Sequence, residues 1–247
     1  MSKEILGFQK ECFANYVADI RNKVPQIPDP YVYPDGNPIR PVVPVKTIQN
    51  TIMLIGAFPS ARFERRNKVL IPIGDNLSPF GQEEYFDGRE VRTQASRSSL
   101  DKNYFDQLNI DADKIWITDI VKVYLFPEKH IVNCKMVAPK RTFVNTHDLF
   151  SEIAFASLEW MQREIILCNP KLIITLGAVP ARAISGDKKK SNEELLNGEI
   201  RDLNLDKPYN IAHLGHPEIR RINKTWDQLT EKAIIQLSQE IKKLLKN

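Results

Sequence analysis

The sequence predicts an α/β domain of three layers, α/β/α, with a central parallel sheet of about four strands. Three observations carry this reading. Short, nearly unbroken apolar runs recur at 51–56, 115–120, 171–177 and 209–214, and such runs suit parallel strands buried on both faces. Segments with apolar residues at helical spacing separate them. The length of 247 residues, 42% hydrophobic, supplies a core for one substantial domain. Strands alternating with helices imply right-handed crossovers around one sheet.

Residues 3–24 place Ile5, Phe8, Cys12, Phe13, Tyr16, Val17 and Ile20 at helical spacing, which predicts an amphipathic helix. Residues 25–44 are rich in proline and read as an extended strap. A single domain over 1–247 is expected, with this helix and strap (1–48) packed on it. Further helices are expected at 98–108, 148–167, 179–184 and 224–245. The last buries Ile234, Ile235, Leu237, Ile241 and Leu244, and its lysines suit the negative end of a helix dipole. Long insertions, 61–97 and 127–145, follow the first and second strands; loops of this length are functional or disordered. The run Lys188-Lys189-Lys190 reads as a solvated loop.

Net charge is +4, which permits a nucleic-acid partner without requiring one. Cys12, Cys134 and Cys168 are odd in number and form no CxxC, which points to reduced thiols and a cytoplasmic location. The N-terminus lacks the apolar centre of a signal peptide, and no run approaches a membrane span. His130, His147 and His213 lack metal-site spacing and read as structural or surface residues. No metal or cofactor is expected.

In open α/β sheets ligands bind beyond the carboxyl ends of the strands. Those ends carry Gly56-Ala57-Phe58-Pro59-Ser60, the segment from Asp119, Gly177-Ala178, and His216-Pro217-Glu218-Ile219-Arg220-Arg221. Histidine suits proton or charge chemistry near neutral pH, and adjacent arginines suit phosphate. Each element also has a plainer reading: His216 as a hydrogen-bonded turn residue, Phe80 as packing under a long loop. Likewise Asp119 reads as a cap for backbone amides, and Arg220 and Arg221 as a solvated turn.

In order and spacing these segments resemble the uracil-DNA glycosylase superfamily across most of 50–222, nearest to its thermophile-type branch. Gly56-Ala57-Phe58-Pro59-Ser60 resembles the water-activating Gly-x-x-Pro loop. Pro79-Phe80-Gly81 is similar to the Pro-Phe whose ring stacks on a flipped base. Thr118-Asp119-Ile120-Val121-Lys122 resembles Thr-Asn-x-Val-Lys. Residues 169–178 resemble the Pro-Lys-apolar-Leu-Gly strand-turn, and His216-Pro217 the catalytic His-Pro.

The resemblance implies hydrolysis of the N-glycosidic bond of a flipped, damaged or deaminated base in DNA, single- or double-stranded. It implies His216 as electrophile, Asp119 in contact with the base, and Phe80 stacking. Gly56, Ala57, Phe58 and Ser60 would surround base and water. Pro217, Ile219, Arg220, Arg221, Lys224 and Gly177 would meet DNA, with Ile219 as a wedge and the cations on phosphates. A monomer is expected, with no membrane partner.

Three features depart from the family pattern. Ala57 and Phe58 stand where active relatives carry an acid or amide that orients water; Glu64, Asp75 and Asp119 are candidate replacements. Asp119 stands where the family reads the base with Asn. An ionised carboxylate answers only the N3–H donor of uracil and repels O4; a protonated Asp119, its pKa raised by burial, restores the match. A four-thiolate iron–sulfur cluster is excluded by the three cysteines. Two other functions stand beside this one: a nucleic-acid binder without base release, as the missing acid suggests, and an enzyme of free nucleosides or nucleotides.

Overall fold

The computed structural model describes residues 2–187 and 189–244, with the backbone alone of Ala95. Helix α1 (Lys3–Lys23) starts at Ser2, whose side chain accepts the Ile5 N–H. The strap then leads to β1 (Ile52–Gly56). The first insertion folds into a hairpin, β2 (Ala61–Arg66) and β3 (Val69–Asp75), and a smaller one, β4 (Tyr85–Phe86) and β5 (Val91–Arg92). Next come α2 (Ala95–Leu100), a π-helical turn Asp101–Phe105, and α3 (Asp106–Leu108), followed by β6 (Trp116–Asp119). The second insertion contains α4 (Glu128–Val137). Then follow α5 (Phe150–Ala156), α6 (Leu158–Cys168), β7 (Leu172–Leu176), α7 (Ala178–Ser185) and α8 (Asn192–Leu195). The chain ends in β8 (Arg201–Asn204), β9 (Pro208–Leu214), α9 (Pro217–Ile222) and α10 (Lys224–Leu244).

The central sheet has five strands in the order β6-β1-β7-β9-β8. The first four are parallel neighbours and correspond to the four apolar runs. The fifth, β8, pairs antiparallel with β9. Its sequence Arg-Asp-Leu-Asn buries only Leu203, so it lacks the apolar run that marked the others. From β1 the chain crosses to β6 on one side; β7 and β9 lie on the other. The order reverses between β1 and β7, and a crevice opens there at the carboxyl ends of the strands.

Side chains alternate between the two covered faces of the strands and divide the core into two layers. Met53, Ile55, Ile173 and Ile211 face a cluster with Tyr16, Ile20, Ile153 and Ile165. Ile52, Leu54, Ile174 and Leu214 face Leu100, Tyr104, Ile234 and Leu237. The first cluster also takes in Tyr31, Tyr33 and Ile39 of the strap. Tyr31 further donates to the Tyr124 carbonyl at 2.6 Å.

Three expected elements take different forms. The helix expected over 148–167 is broken at Ser157, whose hydroxyl donates back to the Ile153 carbonyl at 2.7 Å and contacts Tyr16 Oη. The two long insertions carry hairpins and a helix rather than open loop. The loop expected after His216-Pro217 is the helix α9, with Pro217 at its first position, where the missing N–H costs nothing. Lys188 and Leu245 lie outside the described residues. No described helix is long and apolar enough to cross a membrane.

Candidate active site

The carboxyl ends of the four parallel strands converge on one cavity of about 920 Å³. Its lining includes Ala57, Phe58, Ser60, Phe80, Gln94, Asp119, Gly177, His216 and Glu218. Gly56 and Asp119 are register partners on adjacent strands. A Cβ added at Gly56 would lie 2.2 Å from Asp119 Oδ1 and 2.4 Å from Phe80 Cε2. The carboxyl group and the aromatic ring therefore close over the bare backbone of Gly56, a contact that only glycine permits.

Phe80 sits in the left-handed region at φ 48°, and its carbonyl accepts from Arg97 Nη1 at 3.1 Å. Arg97 belongs to α2, so this helix anchors the backbone that carries the ring. At the opposite wall Gly177, with φ +99°, precedes α7. The helix has no side-chain N-cap there, which leaves its first amides available to an anion. A Cβ on Gly177 would lie 3.5 Å from His216 Cβ.

His216 is the N-cap of α9: its Nδ1 accepts the Glu218 N–H at 3.2 Å. An accepting Nδ1 leaves the proton of a neutral imidazole on Nε2. Burial, outweighing the nearby Glu218 carboxylate, pulls the His216 pKa below the ordinary histidine value. The ring is thus a neutral N–H donor near neutral pH. Tyr104 fixes the same loop from below by donating to the Gly215 carbonyl at 2.7 Å.

Asp119 is 2% exposed, and its Oδ1 has no hydrogen-bond partner among the described residues. Burial pushes its pKa up to about 7, with Lys122 opposing and Glu164 assisting. Lys122 and Glu164 form a fully buried ion pair beneath it. The Lys122 ammonium also donates to the Asp119 carbonyl at 2.7 Å, and Trp116 Nε1 donates to Glu164 at 2.7 Å. That network spends the lysine charge on Glu164, which leaves the Asp119 carboxyl poorly solvated and easily protonated.

A model of the Uracil DNA glycosylase superfamily matches residues 44–242. The chain belongs to this superfamily. No curated protein matches it. Membership brings a DNA-glycosylase-like function, and the central sheet flanked by helices agrees with the fold. A four-thiolate iron–sulfur cluster does not fit the cysteines of this chain. Its three cysteines are free, buried and on different helices, α1, α4 and α6, and the sequence has no fourth.

Among the residues expected to meet DNA, the geometry separates two groups. Arg220 is 9% exposed: its guanidinium pairs with Asp227, donates to the Asn103 carbonyl at 2.9 Å and covers the Tyr104 ring. It is committed to the interior and clamps α9 to the α2–α3 segment, so it does not reach out to phosphate. Pro217 is likewise buried. Arg221 and Lys224 are exposed, Arg221 with only Glu218 as ion partner among the described residues. Ile219 is half-buried, whereas Ile222 at the end of α9 is 69% exposed.

The acids considered as replacements for the missing one lie elsewhere in this glycosylase-superfamily chain. Asp75 is held by Tyr33 at 2.7 Å on the wall of a different cavity, and Glu64 pairs with Arg66. Of the three, Asp119 alone lines the main cavity. His130 and His147, read from sequence as structural or surface residues, both line it too. His213 is buried against Thr175 at 2.7 Å and stays neutral, its pKa pulled down to about 3 by burial. Gln94, a residue the sequence did not single out, lines the cavity with its Nε2 buried and unpartnered among the described residues. A lone glutamine outside every motif carries no sequence signal.

Gly56→Ala tests this geometry. The added methyl must displace Phe80 or Asp119, an overpacking that costs about 1–3 kcal/mol. The expected result is a lower thermal midpoint and loss of affinity for oligonucleotides carrying the target base. A variant with parental affinity would show that Phe80 and Asp119 do not form a base site.

Proposed function

We propose that this chain is a DNA N-glycosylase for a deaminated pyrimidine, uracil in the first place. One observation carries the reading: Phe80, Asp119 and His216, from three distant stretches of chain, line one cavity around the bare backbone of Gly56. A base must leave the stack to enter such a cavity, and there Phe80 supplies a stacking face. Protonated Asp119 offers both a donor and an acceptor, and the Gln94 amide adds a donor. Together they match the adjacent N3–H and O4 of uracil. The free amides at the start of α7 suit the phosphate of the flipped nucleotide, and exposed Arg221 and Lys224 suit neighbouring phosphates.

In the reaction the bond between sugar carbon and base nitrogen breaks, and its electron pair leaves with the base. Negative charge grows on the pyrimidine oxygen, where His216 Nε2–H stabilises it. Water adds to the resulting sugar cation and loses a proton to solvent or to the departing base. No carboxylate in the Ala57-Phe58 loop prepares that water, so leaving-group stabilisation carries the catalysis. This places the rate on His216 rather than on a general base.

A second reading keeps the base pocket without turnover, and the side chains of Ala57 and Phe58, which cannot hold water, favour it. One panel separates the two. Single- and double-stranded oligonucleotides bearing uracil, hypoxanthine, xanthine or a thymine mismatch are incubated with the protein and then scored for alkali-labile breaks. Breaks at uracil that disappear in the Phe80→Ala/His216→Ala double variant are the expected result. Salt-sensitive binding with no breaks on any substrate favours the binder, whereas turnover of free nucleosides alone removes DNA from the account.

A further inference from the structure

The cavity is much larger than one pyrimidine requires. Its volume of about 920 Å³ lies near the top of the ~300–1,000 Å³ range of pockets that enclose whole drug-sized molecules. Beyond Phe80 and Asp119 the same cavity is lined by Phe58, Phe63, Tyr85, Tyr124, His130, His147 and Phe150. The two long insertions and the segments beside them supply most of this second chamber: Phe63 and Tyr85 come from the hairpins, His130 from α4 and His147 from the segment before α5.

The rings pack in two groups, one around Phe58 and one around His130. Phe63 and His130 meet edge to face at 5.0 Å, Phe58 and His147 at 5.4 Å, and Phe58 and Phe150 at 5.0 Å. Tyr124 Oη is hydrogen-bonded to His130 Nδ1. Burial holds His130 below its ordinary pKa, and the neighbouring Lys129 adds to that, so this imidazole is also a neutral aromatic surface. Phe58, Phe63, Tyr85 and Phe150 are only half-buried and His147 is exposed, so part of each ring remains open. Phe58 is two residues beyond Gly56, and two residues span at most about 7 Å. The aromatic chamber and the base pocket are therefore continuous, parts of one cavity joined at the Gly56–Phe58 segment.

We propose that this aromatic chamber takes up the base next to the flipped one, so that the protein binds two consecutive unstacked nucleotides of a single strand. The proposal rests on the base-pocket reading. Rings accept any base because every base has a π face, and each such stack is worth about 1–3 kcal/mol. Two adjacent bases leave the stack together most readily where the strand is already unpaired, which sets the expected substrate as single-stranded or locally melted DNA.

The test measures equilibrium binding of fluorescent single-stranded oligonucleotides. One carries uracil between ordinary thymidines. Others replace the 5′ or the 3′ neighbour by an abasic residue, and a control makes the central position abasic instead. Removing the neighbour on one side is expected to weaken binding roughly 5- to 150-fold, as loss of one stacked base implies. Phe63→Leu/His147→Leu keeps apolar bulk but removes two ring faces. It should bind the neighbour-less oligonucleotide as the parent does and lose most of the preference for the intact one. Equal affinity of the parent for intact and neighbour-less strands would overturn the proposal, even where the central uracil still matters. Tighter binding of an enlarged central base such as ethenoadenine on a neighbour-less strand would also overturn it, since one large base would then fill both chambers. Indifference to the central base would instead sink the base pocket itself.

Discussion

Replacing His216 with serine is expected to slow base release by about 10²–10³-fold, the usual cost of removing one donor from a developing negative charge. Serine is a good N-cap, so α9 keeps its start and the thermal midpoint should stay within a few degrees of the parent. The pairing of outcomes matters because His216 has two jobs in one ring: Nδ1 caps the helix and Nε2–H faces chemistry. If the serine variant releases base at the parental rate while alanine destabilises the fold, the histidine is a cap and the electrophile lies elsewhere. Single-turnover rates and a melting curve on both variants decide this.

The second large effect belongs to Asp119→Asn and is read against pH. With a folded-state pKa of about 7, the protonated carboxyl that matches uracil is lost as pH rises through neutrality. Parental base release should therefore fall above pH 7, whereas the amide of the Asp119→Asn variant does not titrate and should hold activity level between pH 6 and 9. Stability changes in the same window with a definite sign. Below the unfolded value near 3.8 both states are protonated and Asp119 contributes no difference. Between 3.8 and about 7 the folded state binds the extra proton, so rising pH costs stability. Above that, about three pH units at 1.36 kcal/mol each give a penalty of roughly 4 kcal/mol. Asp119→Asn removes it, so the variant should melt several degrees above the parent at pH 8 and gain little at pH 4. His213 falls out of this comparison because it acts equally on both proteins. Its low folded pKa lowers stability as pH falls from about 6.5 towards 3. A parental melting curve that the substitution shifts equally at both pH values would contradict the buried-carboxyl account.

Much of the fold was legible because parallel strands announce themselves. Runs such as Ile52–Gly56 and Leu172–Leu176 are apolar throughout since helices cover both faces. The edge strand Arg201–Asn204 has one covered face, and its single buried leucine gives no run to read. The break at Ser157 was invisible for another reason: it depends on Tyr16, 141 residues away, meeting the hydroxyl. Motif order brought out Phe80, Asp119 and His216, which share the cavity, and Gly56, against which the first two close. It did not tell Arg220 from Arg221. Adjacent arginines on a helix point about 100° apart; one turns in to Asp227 and Tyr104, the other out to solvent. The aromatic chamber was equally silent in sequence, because its rings come singly from hairpins, a helix and a turn rather than from one motif.

The most direct measurement is chromatographic detection of free base. A single-stranded uracil oligonucleotide is mixed with excess protein at pH 6.5, and the supernatant is sampled over time. Stoichiometric free uracil from the parent, released about 10²–10³-fold more slowly by the His216→Ser variant, is the predicted result. Tight, uracil-dependent binding with no free base at any pH from 6 to 9 would contradict it and leave a protein that holds the flipped base without cutting it loose.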